Sequence, residues 1–190
     1  MRLKVKNVRA AFLNVREARA AGDDPSKKNF NGNFIVTPDH PQFKEIQAAV
    51  DQTAKDKWPK DWAVIVKQLR AANKLAFRSG DDKAKYDGFE GNWYISASNR
   101  EDQPPEIRSR DGKSLLKKGG TPMDPEPYSG SFLDVTFDFW AQDNQFGKRI
   151  NANIVGLQFR KHGDAFSAVA KATDEDFEDL SAEDVDDLVA

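Results

Sequence analysis

The sequence predicts a mainly β fold: a small barrel of five or so strands with one block of helices set into it. Three observations carry this. Short runs near both ends of the chain alternate apolar and polar residues, helical periodicity is confined to residues 41–72, and the rest is long polar loop. A parallel α/β sheet would need a helix after nearly every strand, and these helices come together.

The elements follow in order. In "RLKVKNV", Leu3 and Val5 point one way while Arg2, Lys4 and Lys6 point the other, the signature of a strand with one buried face. "AAGDDPSKKN" reads as a polar loop, and "FNGNFIVTP" as a second strand closed by Pro38. Phe43, Ile46, Val50 and Ala54 then share a helical stripe that Trp58-Pro59 stops; Asp39 or His40 ahead of Pro41 suits its first turn. Asp61 offers a cap to a second helix, whose face is Trp62, Ile65, Val66 and Leu69.

From residue 77 the chain becomes a long loop studded with aromatics. "NWYISASN" interrupts it as a strand with Trp93, Ile95 and Ala97 on one face and Tyr94, Ser96 and Ser98 on the other. A second structureless stretch of about 30 residues follows, a length usually functional or mobile inside a compact domain. The segment from residue 131 to 159 reads as a hairpin. Leu133, Val135, Phe137 and Phe139 form its core face, "QDNQFGK" its turn, and Ile150, Ala152 and Ile154 its return. The natural candidate is a five-stranded Greek-key oligonucleotide-binding barrel, the OB-fold.

Charge divides the chain. The last seventeen residues, "DEDFEDLSAEDVDDLVA", hold nine of its 31 Asp and Glu and none of its 29 Lys and Arg. Residues 1–173 therefore carry a formal charge of +7 although the whole chain carries −2. The expected organisation is a binding domain over 1–173, with its helical insertion at about 41–72, and an acidic, disordered tail over 174–190. A basic body suits a polyanion, and a negative tail with apolar anchors suits a basic groove or a partner protein.

Several classes are disfavoured. Without Cys there is no disulfide framework, thiol nucleophile or thiolate metal site, which fits a reducing compartment. No apolar run approaches a membrane span, and "MRLKVKNVRA" lacks a signal peptide's apolar stretch, so a cytoplasmic protein without membrane contact is expected. His40 and His162 show no metal-ligand spacing, and no phosphate-loop or dinucleotide glycine pattern occurs. No catalytic residue, metal or cofactor is expected. The one enzymatic alternative is a metal-dependent nuclease built on Asp134 and Asp138, but four residues along a strand separate them by about 13 Å.

Binding chemistry is better represented. Single-strand binders line basic grooves with aromatic faces on which bases stack. Tyr94, Trp140 and Phe132 alternate away from the apolar faces of their strands, and Tyr86 and Phe89 sit in a loop with Lys83 and Lys85. Tyr94 and Trp140, with Phe132 or Phe89 as alternates, are the expected stacking residues. Arg108, Arg110, Lys113, Lys148, Arg149, Arg160 and Lys161 are the expected phosphate contacts.

The ordered set "VKNVRAAF", "FNGNFIVTPDHP", "GNWYISAS", "PPEIRSRDG" and "PYSGSFLDVTFDFWAQDNQFGKRINANIVGLQFRKHGDAF" resembles a bacteriophage family, DUF2815. Its members are regarded as phage single-stranded DNA-binding proteins related to the T7-type protein. The resemblance spans roughly residues 3–167. It implies an OB-fold, single-stranded DNA as ligand with little sequence preference, and a role in phage replication or recombination inside the infected host cell. It also implies an acidic tail that recruits replication or recombination proteins. Several members end on an aromatic residue, whereas this chain ends "DLVA" and the innermost aromatic of its tail is Phe177. A rival of another class is a structural or assembly protein whose tail docks a basic partner.

Overall fold

The structure is a computed structural model that describes residues 1–21, 24–114 and 127–166. The expected acidic tail, 174–190, lies outside the described residues. Seven strands are present: β1 (Arg2–Ala21), β2 (Asp24–Val36), β3 (Phe77–Ser79), β4 (Trp93–Arg100), β5 (Glu106–Arg108), β6 (Phe132–Asn144) and β7 (Gly147–Lys161). Two helices, α1 (Phe43–Lys57) and α2 (Trp62–Ala71), lie between β2 and β3. All strands join one sheet in the order β3-β4-β2-β1-β6-β7-β5. Without the two three-residue strands at its edges, the order is β4-β2-β1-β6-β7, the expected five-stranded arrangement.

One strand serves two partners. The first half of β1 pairs with β6 and the second half with β2. The change of partner needs a bend, and β1 bends at a bulge between Val5 and Val8, where Asn7 takes a φ of 56°. Backbone groups freed there are met by the segment leading into α1. Gln42 accepts from the Lys6 N–H (2.8 Å) and donates to the Lys4 carbonyl (3.0 Å), while His40 Nε2 meets the Lys6 carbonyl at 2.9 Å. The sequence patch around Pro41 thus serves the bulge more than the helix start.

The core is the set of inward positions that alternation marks. Leu133, Val135, Phe137 and Phe139 of β6 are buried, as are Ile150, Ala152 and Ile154 of β7. Ile46, Ala49, Val50 and Ala54 of α1 and Ile65, Val66 and Leu69 of α2 join the same cluster. Phe43 is wedged against Phe77 and Trp93, with ring centroids 5.2 and 5.4 Å away.

The sheet curls until β4 faces β7, yet no ladder joins them. Two links span the gap. At one end, Ile150 donates its N–H to the Lys74 carbonyl (3.1 Å) and Ser96 donates to the Ala76 carbonyl (2.8 Å), so residues 74–76 lie between the two strands. Further along, the Asn99 carboxamide imitates a backbone partner. Its Nδ2 donates to the Ile154 carbonyl and its Oδ1 accepts from the Ile154 N–H, both at 2.8 Å.

The outer face of the sheet carries a second small core that sequence alternation does not reveal. Ala11, Ile35, Phe89 and Tyr94 are buried together, with Phe12, Tyr86 and Phe166 packed around them. The loop between β3 and β4 folds back to make this cover. Phe89 lies 5.2 Å from the Tyr94 ring, and Tyr86 lies edge-on to Phe12 at 5.0 Å. Tyr94 does point away from the main core, as expected, but its ring is 0% exposed and Phe89 is 1% exposed. Both are corrected here from base-stacking positions to packing ones. The Tyr94 hydroxyl donates to Asp82 at 3.2 Å, and burial pushes its pKa up to about 12.

Two outcomes follow from these contacts. Asn99→Ala leaves the N–H and carbonyl of Ile154 buried without partners, so it should lower unfolding stability by roughly 2–4 kcal/mol in urea titrations. Absorbance titration should show one tyrosine ionising only near pH 12, and Tyr94→Phe should remove that step. Because the folded pKa lies above the ordinary value, the protonated hydroxyl favours the fold, and this contribution should disappear as pH rises from about 10 through 12.

Candidate nucleic-acid interface

The seam between β4 and β7 is also where the polar side chains of the outer face gather. Beside the Asn99 link is a groove of about 970 Å³. Lys27, Lys28 and Asn29 of β2 form one wall, and Ser98, Arg100 and the turn from Glu101 to Gln103 form another. Trp140 of β6 and Asn153 of β7 complete it. These walls are neighbours because Asn29 pairs with Arg100 across β2 and β4.

Trp140 is the large aromatic of this groove and is 41% exposed. Its indole N–H donates to Asn153 Oδ1 at 3.0 Å, which fixes the ring by one edge. The groove is not purely basic: Arg100 pairs with Asp102 at 3.3 Å, and Glu101 also lines it. An exposed, oriented aromatic beside lysines and an arginine has the make-up of a single-strand stacking site.

A smaller slot of about 120 Å³ continues from Ser98 along the same seam. Its charged lining residues are Lys74, Arg78 and Arg149, and it holds no carboxylate. Ser96, Ser98, Asn73 and Asn151 supply hydroxyls and carboxamides. Nearby, the β6–β7 hairpin presents Phe146 at its tip, 77% exposed.

The other expected contacts are dispersed. Lys148 is drawn into an ion pair with Asp143 (3.1 Å) and lies 5.6 Å from the Trp58 ring. Phe132 is eight residues from Trp140 on β6, roughly 26 Å away along an extended strand. It sits beneath Lys161 (4.4 Å) and near Arg9 (5.7 Å). Arg108 lies on β5, with Arg110 and Lys113 in the turn after it; Lys113 pairs with Asp111 at 2.8 Å. Arg160 is held by Asp134. The expected set therefore divides: Trp140 and Arg149 lie on the seam, and Phe132, Arg108, Arg110, Lys113, Arg160 and Lys161 lie toward the far ends of β6 and β7.

Lys27, Lys28, Lys74, Arg78, Arg100 and Phe146 were not singled out by sequence. The pair Lys27-Lys28 is visible in "PSKKN", but only the pairing of β2 with β4 places it beside Arg100.

The acidic pair considered for metal chemistry does not converge. Asp134 accepts from Arg160 Nε (2.7 Å) and from the Asn7 N–H (3.0 Å). Burial alone would raise its pKa, but those bonds outweigh it and hold the carboxyl below its usual range. Asp138 instead meets the chain's amino terminus at 3.2 Å. Among the described residues no group of three or more His, Cys, Asp or Glu is placed to hold a metal ion. None of the described helices is long and apolar enough to cross a membrane.

Comparison with known proteins identifies the family and the fold. The chain is 34% identical to protein p50 of Acyrthosiphon pisum secondary endosymbiont phage 1, over the full length of both. Its fold matches the single-stranded DNA-binding protein from bacteriophage Enc34, solved in complex with ssDNA, with a TM-score of 0.71 and 24% identity. That match covers 87% of this chain and 89% of the other. Gp2.5, a single-stranded DNA binding protein encoded by bacteriophage T7, shares the fold at a TM-score of 0.55 and 9% identity, over 90% and 98% of the two chains. The family described as "Enterobacter phage Enc34, ssDNA-binding protein" matches residues 1–189. The chain, whose one curled sheet carries this seam, therefore belongs to that phage family of non-enzymatic single-stranded DNA-binding proteins.

Proposed function

We propose that the protein binds single-stranded DNA without sequence preference along the β4–β7 seam, protecting exposed strands during phage replication or recombination in the host cytoplasm. The observation that carries this reading is the groove itself. Lys27, Lys28 and Arg100 border an exposed, hydrogen-bonded Trp140 in a chain of this family. Every base has a π face, so stacking on Trp140 tolerates any sequence, and the lysines and arginines track the backbone. Phe146 offers a second ring at the hairpin tip. Phe132 and the cations near it, Arg108, Arg110, Lys113, Arg160 and Lys161, would meet only a strand long enough to pass beyond the groove.

Residues 1–173 form the binding domain in this reading, and 174–190 act as a tethered competitor. Nine carboxylates joined to a body of charge +7 are present at high effective concentration, so even a weak contact with the seam opposes DNA. Displaced from the seam, the segment is available to recruit replication or recombination partners.

Trp140→Ala should weaken binding to a single-stranded oligonucleotide by roughly 5- to 150-fold, the range for loss of one base stack. Contacts by Lys27, Lys28, Arg100 and Arg149 would give a log–log salt dependence of about −2.8, near −0.7 for each phosphate neutralised. Gel shifts with single-stranded DNA, duplex and RNA of equal length, each with and without magnesium, test the reading against its rivals. Cleavage of the strand would indicate a nuclease, and absence of binding at physiological salt an assembly protein. Deleting 174–190 should tighten single-strand binding, most clearly at low salt, since the opposing attraction is between exposed charges. Equal affinity with and without the segment at every salt concentration would reject the competitor role.

A further inference from the structure

We propose that the slot between β4 and β7, bordered by Lys74, Arg78 and Arg149, is a binding site for one phosphate group of a nucleic-acid strand. The proposal rests on the single-strand reading and specifies where the backbone is gripped most closely. Its first support is composition. Three cations, two hydroxyls and two carboxamides line the slot without a carboxylate, although residues 1–173 hold 22 Asp and Glu beside their 29 Lys and Arg.

Arg78 supplies the second, independent support. Its Nε is the one buried side-chain nitrogen or oxygen, among the described residues, that has no hydrogen-bond partner. A buried donor left alone costs stability and calls for an acceptor. The rest of the guanidinium is already fixed. Nη1 donates to the Asn73 carbonyl at 2.7 Å, and the group lies 5.2 Å from the Tyr94 ring, its partner across β3 and β4. A guanidinium held this way is pre-organised, and its planar fork has the shape that matches phosphate oxygens.

The surroundings also favour an anion. Lys83 lies 5.0 Å from the same Tyr94 ring, and its amine pKa is lowered first by burial and then by Arg78, a lowering that the nearby Asp82 opposes only in part. Two cations on one ring repel each other, and a phosphate on Arg78 would offset that repulsion. Lys74 is held by its backbone in the link to Ile150, and its Nζ lies 3.9 Å from where a side chain on Gly147 would begin. Arg149 enters from β7. At about 120 Å³ the slot has room for several waters, and so for a tetrahedral anion. Ser98 borders both the slot and the Trp140 groove, so one strand can occupy both.

The test is amide and indole NMR on the full chain with three probes: an oligothymidylate carrying a 5′-phosphate, the same oligomer without it, and inorganic phosphate. Both the Trp140 indole N–H and the amides of Asn73, Lys74, Ser96 and Ser98 should shift with an oligomer. Arg149→Gln and Arg78→Met should each suppress the slot shifts while the Trp140 shift persists, and each should lower the salt slope by about 0.7. Arg149 is exposed, so Arg149→Gln tests the slot even if Arg78→Met fails to fold. Equal slot shifts with both oligomers would assign an internal phosphodiester; shifts confined to the 5′-phosphorylated oligomer would assign a terminal phosphate. A Trp140 shift without slot shifts, or unchanged slopes in both variants, would overturn the slot and leave the groove standing. Slot shifts with inorganic phosphate but neither oligomer would mean an adventitious ion only and would also overturn it. No shift of either set would reject DNA binding and the slot together.

Discussion

The two hydrogen bonds exchanged between Asn99 and Ile154 set the form of everything around them. A sheet curled this far has two edges facing one another, each lined with backbone donors and acceptors that need partners. Closing the gap with a full ladder would bury both edges and leave a plain barrel wall. A single carboxamide instead satisfies one residue of β7 and holds the strands at side-chain distance. The groove beside Trp140 and the slot beside Arg78 exist because the seam is bridged at intervals rather than zipped.

The helical block holds the other side of that seam in place. Trp58, at the end of α1, donates its indole N–H to Asp143 at 2.8 Å, and Asp143 also receives Lys148. The Trp58 bond, with Lys148 second, holds the Asp143 carboxyl below its usual pKa range. The turn end of the β6–β7 hairpin is thereby tied to the helices, and the helices are tied through Gln42 and His40 to the bulge of β1. An insertion that reads in sequence as a separate block is a brace between the strand that bends and the hairpin that carries Phe146.

Period-two patterning marked the inward positions of β6, and of β7 as far as Ile154, and the 3.6-residue stripe marked most of those of α1 and α2. Beyond a register shift opposite Thr136 and Phe137, the buried positions of β7 move to Leu157 and Phe159, which alternation did not mark. The binding side chains were legible only in part, for a definite reason. Alternation tells which face of a strand a residue is on, and it placed Tyr94 and Trp140 alike on outer faces. It cannot tell whether a distant segment covers that face. The loop from 80 to 92 covers Tyr94 with Phe89, while Trp140 stays open against Asn153. Charge had the same ambiguity, because sequence shows a cation but not its partner: Lys148 and Arg160 are engaged by Asp143 and Asp134. Lys27 and Lys74, which line the seam, come from segments with no periodicity to mark them. Tyr94, expected to carry a base, backs an arginine instead.

The described chain ends at Phe166, whose ring lies 3.9 Å from the Arg9 guanidinium and whose N–H donates to the Ser129 carbonyl at 3.0 Å. That anchorage sets a fixed starting point for the 24 residues that follow. Fully extended, they reach at most about 80 Å, whereas a body of this size has a radius of gyration of only about 15 Å. The segment is thus long enough to reach the seam of its own body or that of a neighbour on the same strand. In the competitor role proposed above, a lone body would supply its own competitor, and bodies crowded on one strand would also meet their neighbours'.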